Sequence, residues 1–113
     1  MIDVFWKTEL LMEELKHALP IQATIPLPLA RVLQDKSPDL LVPAQCNVVE
    51  VIYSGDAGGI LCRLAFHAPE SHDSFVVSIT HLTFHKKLPF AREIERYQRH
   101  RTKKLRQQAT RDP

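Results

Sequence analysis

Ser78, Thr80 and His81, in the run SITHLTFH with Asp73 a few residues upstream, come nearest to a hydrolytic constellation. Nucleophilic catalysis needs a hydroxyl within hydrogen-bond reach of a base that a third group orients. On an alternating strand Ser78 and Thr80 point away from His81, so neither is readily activated by it. The run therefore reads as strand packing, with His81 a half-buried, hydrogen-bonded residue. No nucleophile elbow, pair of carboxylates at recognisable spacing or cofactor fingerprint accompanies it. The balance is against an enzyme. No catalytic or cofactor-binding residue is assigned and no cofactor is expected, with a small enzyme or ligand-binding domain around His81 and Ser78 kept as the remotest alternative.

Metal chemistry is the next question, because the chain carries six histidines: His17, His67, His72, His81, His85 and His100. On a strand rising ~3.3 Å per residue, His81 and His85 stand ~13 Å apart, too far to share an ion unless the strand ends early. His67 and His72 bracket a loop, but no third ligand sits at diagnostic spacing. No metal ligand is assigned. The turn Ser54-Gly-Asp-Ala-Gly-Gly59 invites comparison with phosphate-cradling loops, yet those run from a strand into a helix whose N-terminus faces the anion. Here a second strand follows, so a hairpin turn is the simpler reading.

Charge is where the sequence speaks most clearly. Residues 86–113 hold ten Lys or Arg against three acids, a net of +7, while the other 85 residues hold five against ten, a net of −5. A basic segment of this kind attracts nucleic acid through counterion release, pairs with an acidic protein surface, or complements the negative end of a helix dipole as solvated surface. Arg96, Arg99, Lys103, Lys104 and Arg106 are the candidate contact residues. Against nucleic acid, the only aromatic beyond Phe90 is Tyr97, which the helical pattern assigns to the core, and single-strand stacking needs exposed aromatics. No helix-turn-helix or zinc-finger spacing accompanies the segment.

The elements that must position these groups follow from periodicity. Residues 3–19 read as a helix, capped by Asp3 and stopped by Pro20. Val4, Leu11, Leu15 and Ala18, widened by Phe5, Met12 and Leu19, form its inward face, and Glu9, Glu13 and Glu14 the outer one. Five of eight prolines fall between Pro20 and Pro43, so IQATIPLPL is at most an edge strand or extended arm. Leu29 to Asp35 makes about two helical turns there. The segment CNVVEVIYSGDAGGILCRLAF reads as a β-hairpin whose turn holds all three glycines and needs positive φ more than once. FVVSITHLTF supplies a third strand, with Phe75, Val77, Ile79, His81 and Thr83 on the face turned toward the core. From Pro89 a closing helix carries Phe90, Ile94 and Tyr97 inward; Arg101 takes the next position, where the apolar stripe degrades.

The expected architecture is α+β: an N-terminal helix, a Pro-rich connection with a short helix, a three-stranded antiparallel meander and a C-terminal basic helix. It forms one domain over residues 1–113, with 107–113 a frayed tail. No apolar run reaches the roughly 18–20 residues of a membrane-spanning helix, and the acidic, amphipathic N-terminus is unlike a signal peptide; a cytoplasmic protein without membrane partners is expected. Cys46 and Cys62 lie in apolar, strand-like surroundings and read as buried free thiols, with a cross-strand disulfide as the alternative.

The series GDAGGILC, VVSITHL and FAREIERYQRHR resembles small uncharacterised proteins of cyanobacterial type, which carry a GG turn, a THL strand and an EI-x-x-YQ helix. The resemblance covers the second half of the chain and implies no activity and no functional residue. The reading reached is a non-enzymatic interaction module, self-associating because a small sheet leaves an edge to be covered, with a homodimer or another protein as partner. A nucleic-acid-binding protein using the basic helix on phosphates is the alternative.

Overall fold

Hydrophobic periodicity and proline placement divide the chain into three helices and four strands, seen in a computed structural model that describes residues 2–39, 41–66 and 75–111. The first helix, α1, spans Phe5–Ala18 and buries Thr8, Leu11, Met12 and Leu15. Val4 and Phe5, expected inside, are exposed. Asp3 is not the cap: Val4 occupies that position and no side chain caps the helix. The carboxylate is drawn into the protein instead, which sets the helix so that the row from Thr8 to Leu15 faces inward.

The segment after Pro20 forms an edge strand, β1 (Ile21–Thr24), antiparallel to β2 (Gln45–Tyr53) with Ile21 opposite Val48 and Thr24 opposite Gln45. The sheet thus has four strands, not three. The prolines permit it because Pro20 and Pro26 fall outside the four paired residues, so no ladder donor is lost. Helix α2 (Leu27–Lys36) carries Pro28 in its first turn, where a missing N–H costs nothing.

The hairpin joins β2 to β3 (Ile60–Ala65), and β4 (Phe75–Ser78) adds on the far side, giving the order β1-β2-β3-β4, antiparallel throughout. A register shift between Val48 and Glu50 keeps Val48 and Val51 both buried although they are three apart. All three turn glycines take positive φ: Gly55 63°, Gly58 109° and Gly59 68°.

The third expected strand stops early. After Ser78 the chain makes a 3-10 turn, Ile79–His81, and then bridges back to β1 through reciprocal Thr24–Thr83 bonds of 2.8 and 3.1 Å. Strict alternation ends with the strand: Ile79 and Leu82, three apart, are both buried, while His81 and Thr83 are exposed. The bridge also covers one end of the β1 edge. Helix α3 (Ala91–Arg111) completes the fold and is helical through Arg111. One apolar cluster joins Leu11 and Leu15 of α1, Cys46, Val48, Cys62 and Leu64 of the sheet, Phe90 just before α3, and Ile94 and Tyr97 of α3. No described helix is long and apolar enough to cross a membrane.

Candidate interaction surface

α3 is a helix with two opposed stripes. At about 100° per residue, Phe90, Ile94, Tyr97 and Arg101 share one side, and all four are buried. Arg101 does not end this stripe but extends it, at 2% exposure against 3% for Asp3. Its Nη1 donates to Asp3 Oδ2 at 3.2 Å and Oδ1 at 3.3 Å, and its Nη2 to the Asp56 carbonyl at 2.6 Å. A buried guanidinium is tolerable only with such paired acceptors.

The same carboxylate gathers two phenols. Tyr53 and Tyr97 each donate to Asp3 Oδ2 at 2.9 Å, and the Tyr97 hydroxyl accepts from Ile60 N at 3.0 Å. Burial first, then the bond to Asp3, pushes the Tyr53 phenol up to about 12. Tyr97 is raised too, chiefly by burial. Asp56 Oδ1 accepts from Ile2 N at 2.9 Å, and His100 Nε2 donates to the Ile2 carbonyl at 3.0 Å. The start of the chain, the glycine turn and α3 are thereby locked together. Gly59 is required at the centre, since a Cβ there would overlap the Tyr97 hydroxyl and crowd Arg101.

Arg92, Arg96, Arg99, Lys103 and Arg106 follow at intervals of four, three, four and three. Five cations therefore fall within an arc of about 80° centred opposite the buried stripe, along about 21 Å of helix. All five are exposed. Arg96, Arg99, Lys103 and Arg106 are the candidates that the sequence points to; Arg92, outside the dense distal run of cations, joins them by helical phase. Lys104, also a candidate from the sequence, is exposed but lies about 100° around from the stripe. Arg99 pairs with Glu95 at 2.9 Å on the open surface, a contact worth about 0.3–0.5 kcal/mol. No described ion pair joins Arg96, Arg99, Lys103 or Lys104 to Glu9, Glu13 or Glu14 of α1.

Beyond Arg101 the helix leaves the apolar core, and every residue from Thr102 to Ala109 is exposed. Beside it lies a shallow cleft of about 630 Å³, with Ser78, Thr80 and His81 on one wall and Thr102, Leu105 and Arg106 on the other. The 3-10 turn brings the hydroxyls and His81 to one place, which strand alternation would forbid. Their protons are nevertheless committed. Ser78 Oγ donates to the Gly58 carbonyl at 2.8 Å, so the 2.9 Å contact with Thr80 must be donated by Thr80 Oγ1. The arrangement is a structural clasp between β4 and the turn, not an activated nucleophile.

The turn itself faces the wrong way for an anion. Its Gly58 and Gly59 amides bond within the turn, to Asp56 and Gly55 carbonyls, and the Asp56 and Gly58 carbonyls accept from Arg101 and Ser78. Although the strand ends before His81, His85 Nδ1 accepts from Lys87 N at 3.1 Å. Among the described residues no three His, Cys, Asp or Glu gather as metal ligands. His67, His72 and Asp73 lie outside the described residues. Cys46 and Cys62 are free and buried; Cys62 stands opposite Val51, not Cys46.

No family model, curated protein or solved structure matches this chain.

Proposed function

We propose that this chain is a non-enzymatic protein-interaction module of the cytoplasm, self-associating, whose contact surface is the basic side of α3. One observation carries the reading: five exposed cations run in a straight stripe opposite the anchors that fix the helix, and among the described residues none of its four members other than Arg106 forms an ion pair with an acid outside α3 itself. A solvated face needs no such alignment, whereas a rigid row of guanidinium and ammonium groups matches a row of carboxylates on a partner. Anchoring by Arg101 and Tyr97 fixes the presentation of Arg92, Arg96 and Arg99, which lowers the ordering cost of binding for that part of the stripe.

Nucleic acid is the second reading, favoured by the length of the stripe and its spacing of about 4.5–6 Å along the axis. Phosphates alone would be contacted, because Tyr97 is buried and the His100 ring is held by the Ile2 carbonyl. A photoreactive residue replacing exposed Thr102, beside the stripe, separates the readings in cells. Protein adducts, with a second copy or another protein, are expected, and none from a control probe at exposed Ala44. Nucleic-acid adducts would shift the assignment to the second reading. No adduct from position 102 would overturn both.

A further inference from the structure

α1 turns an unusual face to solvent. Phe5, Trp6 and Leu10 are 60%, 60% and 59% exposed, and with Glu9, Glu13 and Tyr53, and Lys16 as the one cation, they line a depression of about 600 Å³. Large aromatics set together at the surface, between carboxylates, mark a contact site more often than an idle patch. The chemistry of the depression specifies its occupant. Indole and phenyl faces attract cations, Glu9 and Glu13 pair with them, and Leu10 offers an apolar seat. Trp6 already draws one ammonium, with Lys7 Nζ 5.4 Å from its ring centroid.

A cationic helical segment carrying one apolar side chain fits that description, and the distal half of α3 is one. Lys104 and Arg106 flank Leu105 at about 100° to either side on the helix, and Leu105 is 42% exposed. Thr102 to Ala109 are all exposed in the single chain, so the segment keeps surface to offer. We infer that a second copy of this chain docks its distal α3 against the Phe5–Trp6–Leu10 face of the first. Two such contacts, one in each direction, are related by a two-fold axis and close a dimer without open-ended growth. The inference rests on α3 being an interaction surface and names what it meets. It is a route to self-association other than the sheet edge, which is bridged at one end of β1 by Thr83.

Sedimentation velocity at low and high micromolar concentration tests it with charge reversals on exposed residues. The wild-type chain is expected to pass from monomer to dimer as concentration rises. Glu9→Lys with Glu13→Lys is expected to abolish the dimer, as is Lys103→Glu with Lys104→Glu. An equimolar mixture of the two doubly reversed proteins is expected to restore it, because both contacts in that heterodimer again join opposite charges. Trp6→Ala, with its charges intact, is expected to lose the dimer as well. A wild-type chain that stays monomeric, or reversed variants that each dimerise alone, would overturn the inference. In that event cross-links from position 102 to a different protein would still support the wider interaction reading, and their absence would remove it too.

Discussion

Asp3 is a small residue to hold so much of the molecule. It accepts from Arg101, Tyr53 and Tyr97 while almost fully buried, so removing a partner strands a charge in the interior. Arg101→Ala is expected to cost about 3–5 kcal/mol, the range for breaking a buried ion pair from one side, measured by chemical denaturation. Arg101→Lys should recover little, because a single ammonium cannot span Asp3 and the Asp56 carbonyl as the guanidinium does. Gly59→Ala is expected to lose at least the ~1–2 kcal/mol of left-handed backbone, and more through displacement of Tyr97. None of this pairing was legible locally. Asp3 looked like a helix cap because an acid before a helix commonly is one, and its true partner lies 98 residues away. Arg101 on an apolar stripe was the available signal; read alone it marked the end of a stripe, and only a buried carboxylate makes it a continuation.

At the scale of elements, the hairpin, α2 and the anchored part of α3 were readable because glycine, proline and helical spacing act locally. The four-strand count was not. Pro26 and Pro28 demoted IQAT to an edge at best, and whether such an edge pairs depends on β2, more than twenty residues on. The 3-10 turn after Ser78 was hidden for a related reason: FVVSITHLTF alternates well enough to pass as one strand, and the return of Thr83 to Thr24 is a tertiary contact. The site was half legible. Residue types and phase gave most of the cationic stripe, whereas the aromatic face of α1 was missed by assigning Phe5 to the core. α3 should behave as two elements joined at Arg101. Single alanine substitutions at Arg92, Arg96, Arg99 and Lys103 are expected to change folding stability by no more than about 0.5 kcal/mol each, seen in thermal melts, while Ile94→Ala costs about 2–5 kcal/mol.

For the whole molecule, stability responds to pH and binding to salt. Burial pushes the Cys62 thiol from 9.0 to about 12 and Cys46 from 9.0 to about 11, and Tyr53 rises from 10.0 to about 12. In each case the folded state holds its proton more tightly than the unfolded chain. The stabilisation is complete below the unfolded values and is lost as pH climbs through the folded ones. Folding stability should therefore fall between about pH 9 and pH 12, and Cys62→Ala should flatten part of that slope in denaturant titrations. Both thiols should resist alkylation until the protein unfolds. The second response is electrostatic: binding through the stripe is expected to weaken as salt rises, without a matching loss of fold. Residue-resolved amide hydrogen exchange on dilute protein tests most directly whether α3 is held up to Arg101 and offered to a partner beyond it. Slow exchange from Ile94 to Arg101 with fast exchange from Thr102 onward is the expected result; distal amides as protected as the anchored ones would mean that this half packs within its own chain, and no contact surface would remain.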